Sequence, residues 1–432
     1  MKVSIQWKKS MVVCVSMLLV FTLFLSTAYA EKESTQAMAA TRALPEISSH
    51  IKAEDAEKYL QHFYGISFSE ERVSPAEFEN ALATLGKPVE MDWEEEEILT
   101  LEKAAVAVIK AAGMKELALT YSEEKILASL EGYHETEIAE EVAAYVACGL
   151  DIGLIPSTLE MKAPLDSKAA NYLLMNVIDV TGKGRQYIGW TGDPKIYGKI
   201  MAAWNSFTLF EEETLDAVGV GVIKEGATTG YLLTYQGNES RFIPEYSLQY
   251  DHSDIRHALQ LVGLLASEGI QARVQLEPKT SVYEYMLEWG PISEPTPRYA
   301  VVQVSDDLYL AHTVGYILSL EFVSEEDKED FDRVIEAYAK KYEGNEEAVG
   351  LIAGSYWQPL YSSKTEMPEP AYVEMRDVSL SHNGYQLNSL TLTENAPLVI
   401  ETMESMTDLD IEKEKAWSNA AFYRYLTGSD FQ

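Results

Sequence analysis

The chain has 432 residues, with 34 Lys and Arg against 69 Asp and Glu, and a formal net charge of −35. So acidic a surface repels nucleic acid and anionic lipid, which excludes both as partners. Hydrophobic residues make up 47% of the composition, which excludes wholesale disorder, and the length implies two or more cores.

Lys2, Lys8 and Lys9 precede an apolar run over residues 11–25, and Ala28-Tyr29-Ala30 follows it. A basic start, an apolar middle and small residues at minus three and minus one predict a signal peptide over residues 1–30. The run is shorter than the ~20 residues a spanning helix needs. No later stretch has that character, so no membrane span is expected after cleavage, and the expected location is secreted, at the cell wall or cell surface. Cys14 lies inside the apolar run rather than just after it, which argues against lipoprotein processing. Removal of the signal leaves Cys148 alone, so neither an intramolecular disulfide nor a cysteine-based metal site is expected. Val146, Ala147 and Leu150 around it predict a buried, inert helical thiol.

Residues 31–43 read as a linker, and the weakly patterned polar stretch continues to about residue 50. Ala56, Tyr59, Leu60 and Phe63 then mark one face of a first helix that stops near Gly65. Ser74-Pro75-Ala76-Glu77 opens a second, with serine as N-cap, proline at the first helical position and glutamate completing a capping box. A third helix starts at Thr100-Leu101-Glu102 and ends by Gly113. Residues 138–178 repeat the idea: an apolar stripe through Ile138, Val142, Tyr145 and Val146, a glycine stop at Gly153, and a second stripe through Ala170, Leu173, Leu174 and Val177. Three related helix-opening segments within about 95 residues are a repeat signal. The run Glu94–Glu97 reads as a solvated linker or helix start.

This pattern resembles the S-layer homology repeat, by which many Gram-positive surface proteins dock onto cell-wall polysaccharide. The resemblance covers residues 44–182 and is degenerate. The family's second helix commonly opens with Thr-Arg-Ala/Glu-Glu, whose arginine contributes to polysaccharide binding; the matching positions here hold Pro75, Leu101 and Ser167. Glu77, Glu102 and Lys168 remain nearby as candidate wall-binding positions. The partners implied are secondary cell-wall polysaccharide or another envelope protein.

After about Gly182, glycines, aromatics and β-branched residues rise, as in Tyr187–Trp190, Val218–Ile223 and Tyr231–Tyr235. Helices are expected from Ser324 to Tyr342, where Ser324 and Asp327 resemble a capping pair, and over about 410–426. Mixed strands and helices without regular βαβ alternation predict an α+β domain over residues 186–432. Ile255, Ala258, Leu259, Val262 and Leu265 stripe a buried helix that ends at Gly269, and Ala272–Leu276 alternates as a strand. Tyr299–Val304 and Leu308–Ala311 flank Ser305-Asp306-Asp307 as a hairpin.

This order is similar to the core of transglutaminase-like cysteine proteins, with Leu264-Leu265 and Gly269-Ile270-Gln271-Ala272-Arg273 matching the exit from the family's buried helix. The resemblance spans about 70 residues. It puts Asp254 at the family's cysteine position, Tyr299 at the histidine and His312 near the aspartate, so all three catalytic positions differ and a pseudoenzyme is implied. Asp254, Tyr299, His312 and Trp289 are the candidate ligand groove. A generic buried helix followed by a strand is the alternative reading of the same residues.

His252 and His257 with Asp251 and Asp254 invite a metal reading. Five residues put the two histidines about 140° apart on a helix, so capping is expected instead, with no metal and no cofactor. Glu284, Glu288 and Trp289 share a helical pattern suited to a glycan site, but in so acidic a chain they read as a solvated face. The expected fold class is therefore multidomain: all-α S-layer-homology-like repeats followed by an α+β domain, with a transglutaminase-like core as one candidate. The expected function is a non-catalytic binding or structural role at the envelope. The alternative is a hydrolase or transferase acting on wall peptide or glycan.

Overall fold

A computed structural model describes residues 53–68, 71–93, 98–131, 138–338 and 361–427. The signal peptide, the linker and Glu94–Glu97 lie outside the described residues. The chain divides between Val177 and Ile178 into two compact units.

In the first unit, helices run over Ala53–Tyr64 (α1), Pro75–Thr84 (α2), Leu101–Ala111 (α3), Lys115–Ala118 (α4), Glu123–Leu130 (α5) and Glu140–Asp151 (α6), and Ser167–Val180 (α7) begins in it. The expected capping box is present: Ser74 Oγ accepts from Glu77 N at 3.3 Å, and Ser74 N donates to Glu77 Oε2 at 2.9 Å. Gly65, Gly113 and Gly153 take positive φ where their helices stop, a conformation that costs glycine little. Cys148 is fully buried, and burial pushes its thiol pKa up. The segments before α2, α3 and α7 are tied together. Val73 N donates to Leu165 O at 2.9 Å, Leu165 N to Leu99 O at 2.7 Å, and Ser167 N to Glu71 O at 3.0 Å.

The second unit adds helices Ile196–Ser206 (α8), Glu213–Lys224 (α9), Ile255–Ser267 (α10), Glu325–Tyr338 (α11), Ala396–Met406 (α12) and Ala420–Leu426 (α13). Its strands are Gly189–Trp190 (β1), Gly230–Tyr235 (β2), Ser247–His252 (β3), Ala272–Glu284 (β4), Tyr299–Gln303 (β5), Tyr309–Phe322 (β6), Tyr361–Ser363 (β7), Tyr372–His382 (β8), Tyr385–Leu392 (β9) and Ile411–Asn419 (β10). All pairings are antiparallel, in the order β1-β4-β2-β9-β8-β10-β7-β3-β6-β5, and β4 pairs β6 as well. That last pairing closes eight strands into a barrel and leaves β1 and β5 as extra strands on its wall.

The closed barrel overturns the expected fold class of all-α repeats followed by an α+β domain with a transglutaminase-like core. Closure satisfies the backbone groups of both edges, which an open sheet leaves exposed. Isolated bridges, Arg72 to Asp166 and Thr100 to Pro164, also depart from an all-α first part. Two local expectations fail with it. Val218–Ile223 lies in α9 rather than in a strand, and most of the helix expected over 410–426 is β10.

The barrel is apolar on its outside. Ala272, Val274 and Leu276 of β4 and Tyr316, Leu318 and Leu320 of β6 join residues of α8, α10 and α11 in one buried core. Leu233, Val282, Val378 and Leu387 join residues of α9 and α12 in a second. Side chains alternate along a strand, so Arg273, Gln275, Glu277, Lys279, Ser281 and Tyr283 of β4 face the interior. Pro278 is tolerated in β4 because β2 ends its pairing at Lys279 and β1 pairs only from Val274 back to Arg273.

Candidate functional site

A polar interior needs partners for its buried groups, and the barrel supplies most of them, although Gln275 Oε1 is buried without a hydrogen-bond partner among the described residues. Beside the first residues of β4, Glu321 is 1% exposed and accepts from Arg185 Nε at 2.8 Å, from Arg273 and, through Oε2, from Ile243 N at 2.6 Å. Arg273 also lies 4.7 Å from the centre of the Trp190 ring. Glu277, next inward on β4, accepts from Ser319 Oγ at 2.6 Å and Ser240 N at 3.3 Å, and burial pushes its carboxyl up to about 7.

Further along β4 the interior opens into a cavity of about 450 Å³. Its charged lining is Asp251 and Lys279, whose Oδ1 and Nζ lie 2.8 Å apart. Ser253, Ser281, Thr313, Ser362, Ser418 and Asn388 supply hydroxyl and amide groups around that pair. Gly315 of β6 sits opposite Lys279, and a Cβ there would lie 2.9 Å from Lys279 Cε and 3.1 Å from His252 O. The missing side chain is the space the lysine stem occupies.

The four expected groove residues do not converge. Trp289 is 62% exposed, with its ring centre 6.5 Å from that of Tyr283, a cavity-lining residue, and 5.6 Å from that of Tyr285. Tyr299 pairs with Thr313 and shares its face of the sheet, so it belongs with this side. His312 pairs with Ala300 and Val282 and faces the opposite way; its Nδ1 is buried without a hydrogen-bond partner among the described residues. Asp254 caps α10 by accepting from Arg256 N at 3.0 Å. The Arg256 guanidinium hydrogen-bonds its carboxylate and holds it down to about 2. Trp289 and Tyr299 thus adjoin the cavity, while Asp254 and His312 lie elsewhere. The helical pattern assigned to Glu284, Glu288 and Trp289 is replaced by the end of β4 and a 3-10 turn over Leu287–Trp289.

In the first unit, Glu77 is occupied by its capping box, and the Ser74 hydroxyl and backbone N–H hold its carboxyl below the usual range. Glu102 is 5% exposed and accepts from Lys162 Nζ at 3.0 Å, while Lys168 is exposed in the first turn of α7. Among the described residues, no group of three or more His, Cys, Asp or Glu side chains is placed to hold a metal ion. The rings of His252 and His257 are 4.3 Å apart, and His252 Nδ1 accepts from Asp254 N at 2.8 Å. Burial, reinforced by His257, pushes His252 down to about 4, so it is neutral at pH 7 and carries its proton on Nε2.

Motif reading missed the cavity because serine, threonine and asparagine in strands form no motif. A signal did exist: Arg273, Gln275, Glu277, Lys279 and Ser281 are polar at every second residue. Ordinarily that spacing marks a sheet face turned to bulk water. No family model, curated protein or solved structure matches this chain. No helix among the described residues is long and apolar enough to cross a membrane.

Proposed function

We propose that this is a secreted, envelope-associated binding protein whose barrel cavity holds a small hydrophilic ligand without chemically altering it. The observation that carries the reading is the barrel's polarity: apolar residues face the surrounding helices, and hydroxyls, an amide and one ion pair, with Leu232, Leu390 and Phe422 beside them, line a partly open space of about 450 Å³. That volume falls in the range of small-molecule sites. Among the described residues lining the cavity, Asp251 is the single carboxylate, and Lys279 neutralises it. Glycoside hydrolysis uses two carboxyl groups across the bond, and thiol acyl transfer needs an activated thiolate, whereas Cys148 belongs to the first unit.

The signal-like N-terminus and the acidic composition support the envelope location. The likeness to S-layer homology repeats supports the first unit as an attachment module for wall polysaccharide or another envelope protein. The test is to incubate the mature chain with a digest of peptidoglycan and wall glycan, recover retained material and identify it by mass spectrometry. Saturable retention of an unaltered fragment is expected, and Ser281→Trp should abolish it by filling the cavity. Release of cleaved or transferred products would replace the binding reading with an enzymatic one, and no retention would remove the cavity from consideration.

A further inference from the structure

The charge and rim of the cavity narrow the class of ligand. Asp251 and Lys279 are 2.8 Å apart, so the charged lining is already paired and offers no net charge to an incoming ion. Breaking that contact to admit a charged ligand would leave the other member desolvated, and Lys279 is 8% exposed. What the lining still offers are groups that can both donate and accept, the hydroxyls of Ser253, Ser281, Thr313 and Ser362 and the Asn388 amide, set among the apolar side chains of Leu232, Leu390 and Phe422. A ligand matched to them is uncharged and combines hydroxyl or amide groups with C–H faces.

The rim adds a second, independent observation. Tyr283 lines the cavity and leads to Trp289 and Tyr285. Trp289, at 62% exposed, stands beside the exposed side chains of Met286 and Leu287, and contiguous exposed apolar surface of this kind marks interaction sites. Pyranose rings have hydroxyls around the edge and C–H groups on their faces, so they hydrogen-bond at the edge and pack a face on an aromatic ring. A hydroxyl-lined cavity continuing into an aromatic ridge suits two consecutive sugar units, one inside and one on the rim.

We infer that the barrel cavity and the Tyr283–Trp289 ridge form a binding site for an uncharged saccharide at least two units long. The inference rests on the cavity being the binding site.

The experiment titrates the mature chain by calorimetry and tryptophan fluorescence with three neutral disaccharides: maltose, cellobiose and N,N′-diacetylchitobiose. Glucosamine and glucuronate serve as small cationic and anionic probes. At least one neutral disaccharide should bind saturably with a fluorescence shift, and Trp289→Ala should weaken it about 10-fold and remove the shift. Trp289→Phe should keep most of the affinity. Trp289 is on the surface, so its replacement leaves the fold intact, and circular dichroism checks this. Binding of a charged probe without any neutral one would overturn the inference while leaving the cavity as a binding site. Neutral binding unaffected by Trp289→Ala would also overturn it. Absence of binding by all five, with the peptidoglycan digest also giving none, would remove the cavity reading itself.

Discussion

Lys279 of β4 and Asp251 of β3 meet across β6, over the one residue between them that has no side chain. Both strands pair with β6, Asp251 opposite Ile317 and Lys279 opposite Gly315, and the ion pair spans the gap at 2.8 Å. The two partners are unequally wet, since the lysine side chain is 9% exposed and the aspartate 25%. Removing the aspartate therefore strands the drier charge. Asp251→Asn should cost about 2–4 kcal/mol and Lys279→Met less, and the double variant should recover part of the loss. Urea denaturation of the three variants checks the order.

Gly315 should tolerate no larger residue while Lys279 is present. Gly315→Ala places a methyl 2.9 Å from Lys279 Cε and 3.1 Å from a backbone oxygen that does not yield. The expected loss is about 1–3 kcal/mol. Adding Lys279→Met should restore little of it if His252 O is the harder obstacle, and much of it if the lysine stem is. The comparison, again by urea denaturation, reports which atom limits the space.

Glu277 should make stability fall as pH rises toward neutrality. Its carboxyl is pushed up to about 7 by burial, above the roughly 4.3 of an unfolded glutamate. Between those values the native state holds a proton that the unfolded state has released. The unfolded state thus binds fewer protons, and unfolding free energy declines with pH across that window and levels off above it. Glu277→Gln should abolish this component, which is on the order of 3 kcal/mol between pH 4 and 8. The difference between wild-type and variant stability at each pH isolates it from the general acidity of the chain.

Glu321 and Glu404 should behave oppositely although both are ion-paired. Glu321 is 1% exposed between two guanidinium groups, so Glu321→Gln leaves buried positive charge and should cost about 3–5 kcal/mol. Glu404 pairs with Lys413 at 3.0 Å with side chains 57% and 46% exposed, and Glu404→Gln should cost less than about 0.5 kcal/mol. Thermal melts of the two variants separate the cases.

Local structure was legible where local chemistry sets it. Ser74 with Glu77, Ser324 with Asp327, the stripe of α10 and the Ser305–Asp307 hairpin all lie where the sequence indicates. Closure of the barrel was not legible, because it depends on β4 meeting β6 along its whole length, a pairing no residue pattern announces. β10 reads as a helix because Glu412-Lys413-Glu414-Lys415 is charged on both faces. Glu412 and Glu414 turn inward with Ser379 and Asp377, while Lys413 and Lys415 pair outside with Glu404 and Glu374, so the usual alternation of apolar and polar residues is absent. In α9 the reverse occurs: Val218-Gly219-Val220-Gly221-Val222 imitates a strand, yet the glycines let the helix approach the Tyr231 ring and Met406, where a Cβ would clash. Of the candidate site, Trp289 and Tyr299 were found, and the polar lining was not, since a wet interior and a wet exterior give the same spacing.

The barrel's shortest strand links its early strands to its late ones. β7 contributes three residues, joining β10 through Ser362 and Ser363 and β3 through Tyr361 and Ser362. Both of its neighbours are needed, and one of them, β10, comes last in chain order among the described strands. A growing chain therefore presents β3 and β6 long before anything exists to shut the ring, and its unpaired edges stay open to other chains in the meantime. Emergence of β10 is the event that makes a cavity at all, so a chain truncated before Ile411 would lose the vessel along with the strand.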